Sequence, residues 1–584
     1  MPIPALLREI GSRRAVSDRR AATRKKRGLT TLAATSLDEP ADLLRLHESA
    51  LLLRAYPDSP RSLREAEQAL RGIAARVRRI ERRAGEMPDL LDATGIAGTT
   101  VTCAFSLPVA LRLAARYPSA VSLEDLEEAE GRLGEALPSV LLPAEAEALS
   151  DGYVLPREWL RRTGRRARTG APPRLAALFN FEDDRVRAAL WTAMDLTVRW
   201  DLGAGPGSRT LCRAPSGPPA FRRCVARRSR PDLVSEARKE KLPIELVRSL
   251  EARRWIDAAF AAVTARFREM HTFVHASERD VWVAEAGDGV RIALFGVQPE
   301  SRHALRAFYG FLLVRNGVPV GYGDAVMLFD WGELNFHVFE TFRQADSASL
   351  YASVVRLLRQ QFGIRYLHLN PYQFGRRNEE AIRTGAFWFY EKLGFRPVDR
   401  GLARLWRSER RRLDRDASYR TPAATLRKLA QGAMGLALES PSAPLERCYA
   451  GFHPVRLALA VSRRIEGLHG GDRAAAGRAA LDRACGALHG EGSGGDHGAL
   501  ERIAPFLDLI RDLEAWSPGR RRALAELVRA KAGESELGYL RATQKHRALR
   551  DALLAVSRQG ERGSRAARET PRPRSESTRR VRRD

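Results

Sequence analysis

Residues 308–328 read FYGFLLVRNGVPVGYGDAVML, and the way this stretch pairs decides the fold. Asn316-Gly317 lies between two runs of aromatic, aliphatic and β-branched residues. Asn-Gly accepts the positive φ values of a two-residue hairpin turn, so Phe308–Arg315 and Val318–Leu328 are expected to pair antiparallel. Just upstream, Gly287-Asp288-Gly289 separates Val281–Ala286 from Val290–Val297 and signals a second hairpin. Downstream, Leu334–Phe342 reads as another strand. Ser349–Phe362 sets Leu350, Val354, Leu357 and Leu358 at helical spacing and stops at Gly363. Ile364–Asn370 is a short buried strand, and Asn378–Leu393 a second helix that ends at Gly394. Ahead of all these, Val247, Leu250, Ile256, Phe260, Val263 and Phe267 mark one amphipathic helix. Residues 247–408 are therefore expected to form an α/β domain with a mixed, mostly antiparallel sheet.

The flanks read differently. Over 36–150, a capping-box pattern at Ser62–Glu65 leads into Ala66, Ala69, Leu70, Ile73, Val77 and Ile80 at helical spacing, and prolines cut the region into short helices. Residues 409–557 are helical in pattern around a Gly-rich connection at 486–498. Both flanks are thus expected to be all-α. Between them, 151–246 is a mixed segment that contains a Gly/Pro-rich linker, Gly203–Pro219. GAGPGS (203–208) within it lacks the glycine spacing and the following helix of a phosphate loop, and Arg161–Arg168 reads as a solvated face.

Composition bounds the chemistry. With 584 residues, 44% apolar and 29% charged, the chain is long enough for several domains and too apolar for wholesale disorder. No stretch reaches the roughly 18 consecutive apolar residues of a spanning helix. Five scattered cysteines without a C-x-x-C pair argue against a disulfide scaffold or a Cys-based zinc site and point to a reducing cytoplasm. The opening residues carry charge where a secretory signal keeps its apolar run. Net charge is +28, with nine Lys/Arg against two acids in 1–30 and ten Arg against four acids in 558–584. These ends, read as a basic disordered arm (1–35) and tail (558–584), either make non-specific contact with nucleic-acid phosphates or are simply solvated. His271 and His275, four apart, lack a third metal ligand, so no metal is expected.

One motif stands out. GAFWFYEKLGF (385–395) is similar to the A-x-x-x-Y-E-K-x-G-F signature of the GNAT superfamily of acyl-CoA N-acyltransferases, and the order of parts over 308–399 resembles that family. The hairpin looks like its central strands, ELNFHVFETF like the strand that forks from its neighbour, and RQADSASLYASVVRLLRQQFG like the turn and helix that receive a pyrophosphate. The resemblance implies acetyl-CoA or another acyl-CoA as donor, and an amine on a small molecule or a protein as acceptor. It implies donor contacts from Phe342, Arg343, Gln344, Ala345, Asp346, Ser347 and Ala348, with Asn378 from an N-x-x-A lead-in. Tyr390 would give its proton to the departing sulfur. Glu333, ten residues before Arg343, would be the base, with His337 and Glu340 as weaker candidates. Three departures are visible: Asp346 stands where the family has glycine, five extra residues separate Asn378 from Tyr390, and a helix followed by two strands precedes the central hairpin where the family opens with a strand and two helices. Asp346 or Ser347 as a plain helix cap and Tyr390 as a core aromatic are the structural alternatives. The functional alternatives are a transferase of related fold that uses aminoacyl-tRNA, and a non-catalytic protein- or RNA-binding module.

Overall fold

In a computed structural model of the protein, the described residues run from 37 to 569, apart from 125–126, 140, 151–153, 164–182, 222–230, 344–345, 440–453 and 489–496, with a few positions before 37. Most of the basic arm, residues 570–584 of the tail, part of the Arg161–Arg168 cluster and the middle of the Gly-rich connection lie outside them. So do Gln344 and Ala345.

The strands are β1 (Thr100–Cys103), β2 (Val121–Glu124), β3 (Thr197–Asp201), β4 (Ile244–Val247), β5 (Ala276–Gly287), β6 (Val290–Val297), β7 (Ala307–Arg315), β8 (Val318–Leu328), β9 (Trp331–Val338), β10 (Tyr366–Leu369), β11 (Arg396–Pro397) and β12 (Met434–Ala437). Nine of them form one sheet in the order β11-β12-β10-β9-β8-β7-β6-β5-β4. Asn316 (φ 49°) and Gly317 (φ 77°) make the expected tight turn between β7 and β8. Every neighbouring pair is antiparallel except β9 and β10.

Five helices bear on the site: α1 (Pro40–Ala55), α2 (Ser249–Thr264), α3 (Ser347–Phe362), α4 (Glu379–Thr384) and α5 (Ala386–Lys392). A parallel pair of strands requires a crossover connection, and α3 supplies it between β9 and β10. One continuous apolar cluster joins Leu46 and Ala50 of α1, the sheet, Leu350 and Leu357 of α3, and Leu527 and Leu540 from the C-terminal helices. Polar contacts tie the same parts together. Asn316 donates from Nδ2 to the Ala55 carbonyl at 2.9 Å, and Gln544 donates to the carbonyls of Phe329 (2.9 Å) and Phe362 (2.7 Å).

Several sequence expectations are corrected. The strand expected at Leu334–Phe342 begins at Trp331, because Phe329 (φ 56°) and Asp330 turn the chain tightly enough to pair Leu328 with Trp331. It ends at Val338, and Glu340–Phe342 is a 3-10 turn. The helix expected over 378–393 is two helices, broken at Gly385 (φ 66°). The flanks are not purely helical. β1 and β2 pair on either side of β3 in a three-stranded antiparallel sheet, and β12, from the stretch expected to be all-helical, inserts between β10 and β11. β4 extends the large sheet's other edge from the end of the mixed segment into Val247, the first residue expected in the amphipathic helix. At four or five residues each, these strands are too short to show alternation, so distant partners define them. The last helix, Arg547–Glu569, continues past the boundary expected at 557. GAGPGS is a packed turn: a Cβ on Gly207 would lie 2.4 Å from the Trp200 ring.

Candidate functional site

β9 and β10 pair over only three positions: Tyr366 with Trp331, Leu367 with Gly332, and His368 with Glu333. Beyond Glu333, β9 continues to Val338 against β8 alone, while β10 ends at Leu369 and turns into a 3-10 segment, Pro371–Phe374. The two chains therefore part, and the gap opens towards the start of α3. β9 leans close over β8 at this end. A Cβ on Gly323 would lie 2.0 Å from the Asn335 carbonyl oxygen, so GYG (321–323) leaves the room that β9 fills.

A cavity of about 700 Å³ continues the gap. Phe336–Glu340, Arg343 and Ser347 form one wall, and Gln373, Asn378, Glu380, Phe389 and Tyr390 the wall across from it. Ala93, Thr94, Arg209, Arg266 and Arg268 close a third side. The size is ordinary for a small-molecule site, and the mix of aromatic walls with a few charged groups is what such sites need.

The start of α3 is organised from two directions. Asp346 occupies the N-cap position, yet its carboxylate makes no capping bond. It accepts from Tyr56 Oη at 2.6 Å and from Arg315 Nη1 at 2.9 Å, and the Arg315 guanidinium lies 4.3 Å over the Tyr56 ring. The carboxylate is thus held by its buried neighbours and is not among the cavity-lining groups, and the capping role suggested for it is not what its side chain does. Ser347 Oγ donates back to the Arg343 carbonyl at 2.7 Å. Among the described residues no side chain caps the first-turn N–H groups of this 16-residue helix, and the helix presents partial positive charge where the cavity meets it.

Tyr390 has its ring in the core, 5.8 Å from Tyr351 and 6.1 Å from Phe395, with its hydroxyl 3.4 Å from Gln373 Oε1. The core and cavity readings of this residue are compatible: the ring packs and the residue lines the wall. Burial pushes its phenol well above the usual range. Asn378 also lines the cavity, but its side chain is engaged. It accepts from Ala381 N and donates to the Tyr372 carbonyl, each at 3.1 Å, and so caps α4. Arg343 donates to Glu380 Oε1 at 2.6 Å across the cavity mouth. That bond, with the Arg343 charge, holds the Glu380 carboxyl below its ordinary value.

The other expected residues sit elsewhere. Phe342 is fully buried 6.5 Å from Tyr56, and Ala348 packs half-buried against the core. Glu333 stands where the strands part but does not line the cavity: Asn370 Nδ2 donates to it at 3.2 Å, and His368 Nδ1 is 3.7 Å away. Burial raises its carboxyl, but His368 and Asn370 outweigh that and hold it below the usual range, which weakens it as a base. His337 and Glu340, expected on opposite faces of one strand, both reach the cavity because β9 ends at Val338. Burial, then the charges of Arg268 and Arg343, push His337 down to about 4. Its ring is accordingly neutral near pH 7 and stacks on Tyr322 at 5.2 Å.

Sequence reading missed Arg209, Arg266, Arg268, Tyr322, Gln373 and Phe389. In a chain whose positive charge is almost all arginine, three more arginines carry no signal. Among the described residues no group of His, Cys, Asp or Glu could hold a metal ion, and no helix is long and apolar enough to cross a membrane. Set against family models, curated proteins and solved structures, the chain matches none of them.

Proposed function

We propose that the chain is an N-acyltransferase that moves an acyl group from acyl-CoA to an amine, and that its sheet with α3 is an acyl-CoA N-acyltransferase fold between mainly helical flanks. The observation that carries this reading is the parting of β9 and β10 over an uncapped helix start, with Tyr390 on the facing wall. A diphosphate is stabilised by free N–H groups and positive charge at a helix start, and Arg343 stands beside it. The carboxylate that replaces the family's glycine does not oppose this, since Arg315 and Tyr56 hold it. Arg343 is available as well. Its bond to Glu380 is an exposed pair worth about 1 kcal/mol or less, so exchange for a ligand phosphate costs little.

The donor supplies an activated thioester. The residues of this chain orient it and manage protons. A phenol pushed up by burial stays protonated through neutral pH, and the 3.4 Å contact with Gln373 is too long to hold the Tyr390 hydroxyl firmly. Tyr390 can therefore give its proton to a departing sulfur as the new C–N bond forms and the C–S bond breaks, and the proton lost by the attacking nitrogen, passed through water, restores the phenol. His337 at about 4 is a weak base, so the amine is best taken up in its neutral form. Free thiols at Cys103, Cys212 and Cys485 suit a reducing, cytoplasmic setting.

The test is calorimetric titration of the full chain with acetyl-CoA, followed by thiol release in the presence of amines. Saturable binding is expected, and Tyr390→Phe should lower the transfer rate about 100-fold or more while leaving donor affinity unchanged. Absence of binding at millimolar donor sinks the reading; full activity in Tyr390→Phe removes the tyrosine from it.

A further inference from the structure

The third wall of the cavity is not used by that reading. It holds Arg209, Arg266 and Arg268, contributed by segments outside 308–399. Arg209 is neutralised and fixed: it donates to Glu48 at 2.7 Å and to the Thr94 carbonyl at 2.7 Å. The other two are not. Arg266 has one described acceptor, the Ala262 carbonyl at 2.5 Å, and its guanidinium lies 3.7 Å over the Phe339 ring. Arg268 donates to Tyr322 Oη at 2.9 Å. Neither forms an ion pair among the described residues. A guanidinium offers five donors in a flat fork, so both arginines keep most of theirs for something else. Burial, then nearby Arg209, bring the Arg266 guanidinium down to about 9, and the pull of the Glu48 carboxylate, itself bonded to Arg209, does not offset them.

The arrangement is built rather than incidental. Gly95 (φ 69°) packs so tightly that a Cβ there would lie 1.8 Å from the Ala265 carbonyl oxygen, and its own carbonyl accepts from Arg209 N at 2.9 Å. This close approach sets Arg209 beside Arg266. Through Phe339 and through Tyr322 stacked on His337, the two unpaired arginines are also placed at the end of β9, the strand that borders the gap.

We infer that this arginine-lined end of the cavity is the acceptor pocket and that it selects small amines bearing an oxyanion, either a carboxylate or a phosphate. The inference rests on the acyltransfer reading and narrows its acceptor. An oxyanion completes the donors of the largely buried Arg266, while Arg268, exposed at the rim, adds a second guanidinium to the same anion; charge-assisted hydrogen bonds of this kind are the strong ones.

The experiment compares matched amines on the full chain: α-amino acids beside their C-terminal amides, and O-phosphoethanolamine beside ethanolamine. Each is titrated without donor by calorimetry, and then supplied with acetyl-CoA while thiol release is followed. Anionic members should bind and react in preference to their neutral partners, and the carboxylate and phosphate arms tell the two sources apart. Arg266→Met and Arg268→Met, each checked by thermal melting, should weaken the anionic amines by about 10- to 100-fold. Affinity for acetyl-CoA should stay unchanged, and Arg266→Lys should recover part of the loss. Equal use of neutral and anionic amines overturns the inference. So does weakening of acetyl-CoA in place of the amine, which would assign these arginines to the donor's phosphates. Arg266-dependent binding of anionic amines without acetyl-CoA binding would uphold the pocket and refute the transfer reading, whereas acetyl-CoA binding without preference for anionic amines would do the reverse.

Discussion

On the buried side of the start of α3, Arg315 donates to Asp346 at 2.9 Å, with side chains 1% and 14% exposed. On the cavity side, Arg343 donates to Glu380 at 2.6 Å, with side chains 41% and 50% exposed. The partners are the same two chemical groups and the lengths are similar, yet their tasks differ. Water around the exposed pair screens it and offers each ion an alternative, so it can open for a ligand. Around the buried pair there is no such alternative, and Tyr56 adds a hydrogen bond and a ring face. That pair anchors the C-terminal end of α1 to the sheet and to α3, and it also keeps a carboxylate away from the helix start. Environment, not residue type, separates anchor from site.

The comparison can be broken most directly at the anchor. Arg315→Met leaves the Asp346 carboxylate buried with only Tyr56 for a partner, and should cost about 3–5 kcal/mol in urea unfolding. A loss below about 1 kcal/mol would put this pair in the same class as the exposed one. At the site the effect should fall on binding instead. Arg343→Glu should weaken acetyl-CoA at least about tenfold, roughly the worth of one charge-assisted contact, with the melting temperature little changed. If the protein melts as early as Arg315→Met, the distinction fails. The smallest effect sharpens it: Glu380→Gln releases Arg343, so acetyl-CoA should bind up to about fivefold tighter while stability moves within about 0.5 kcal/mol. Unchanged affinity would mean that Arg343 is not the group Glu380 occupies.

The central strands were legible because their signals are local. Asn316-Gly317 states its turn within two residues, and β7 and β8 are long enough to be recognised alone. The Phe329-Asp330 turn was not, since neither residue advertises a positive φ, and the expected start of β9 was three residues late. Tyr390 was picked out by its motif, and Arg343 and Ser347 by their place after a strand. The inward turn of the Asp346 carboxylate was not legible, for a reason no local reading supplies: its partners, Tyr56 and Arg315, are 290 and 31 positions away. Arg266 and Arg268 were invisible for the complementary reason. Arginine is everywhere in this chain, and only the Gly95–Ala265 contact marks out these two.

By itself, then, the chain's order of residues determined the hairpins, the helix that crosses between parallel strands, and the identity of the phenol on the cavity wall, because each depends on neighbours within one or two turns. Tertiary structure alone decided that β9 and β10 part after three pairs, that Asp346 faces inward, and that two arginines with no ion pair among the described residues border the gap. Those outcomes depend on desolvation and close approach between segments from 31 to 290 positions apart, and neither quantity exists until the chain has folded.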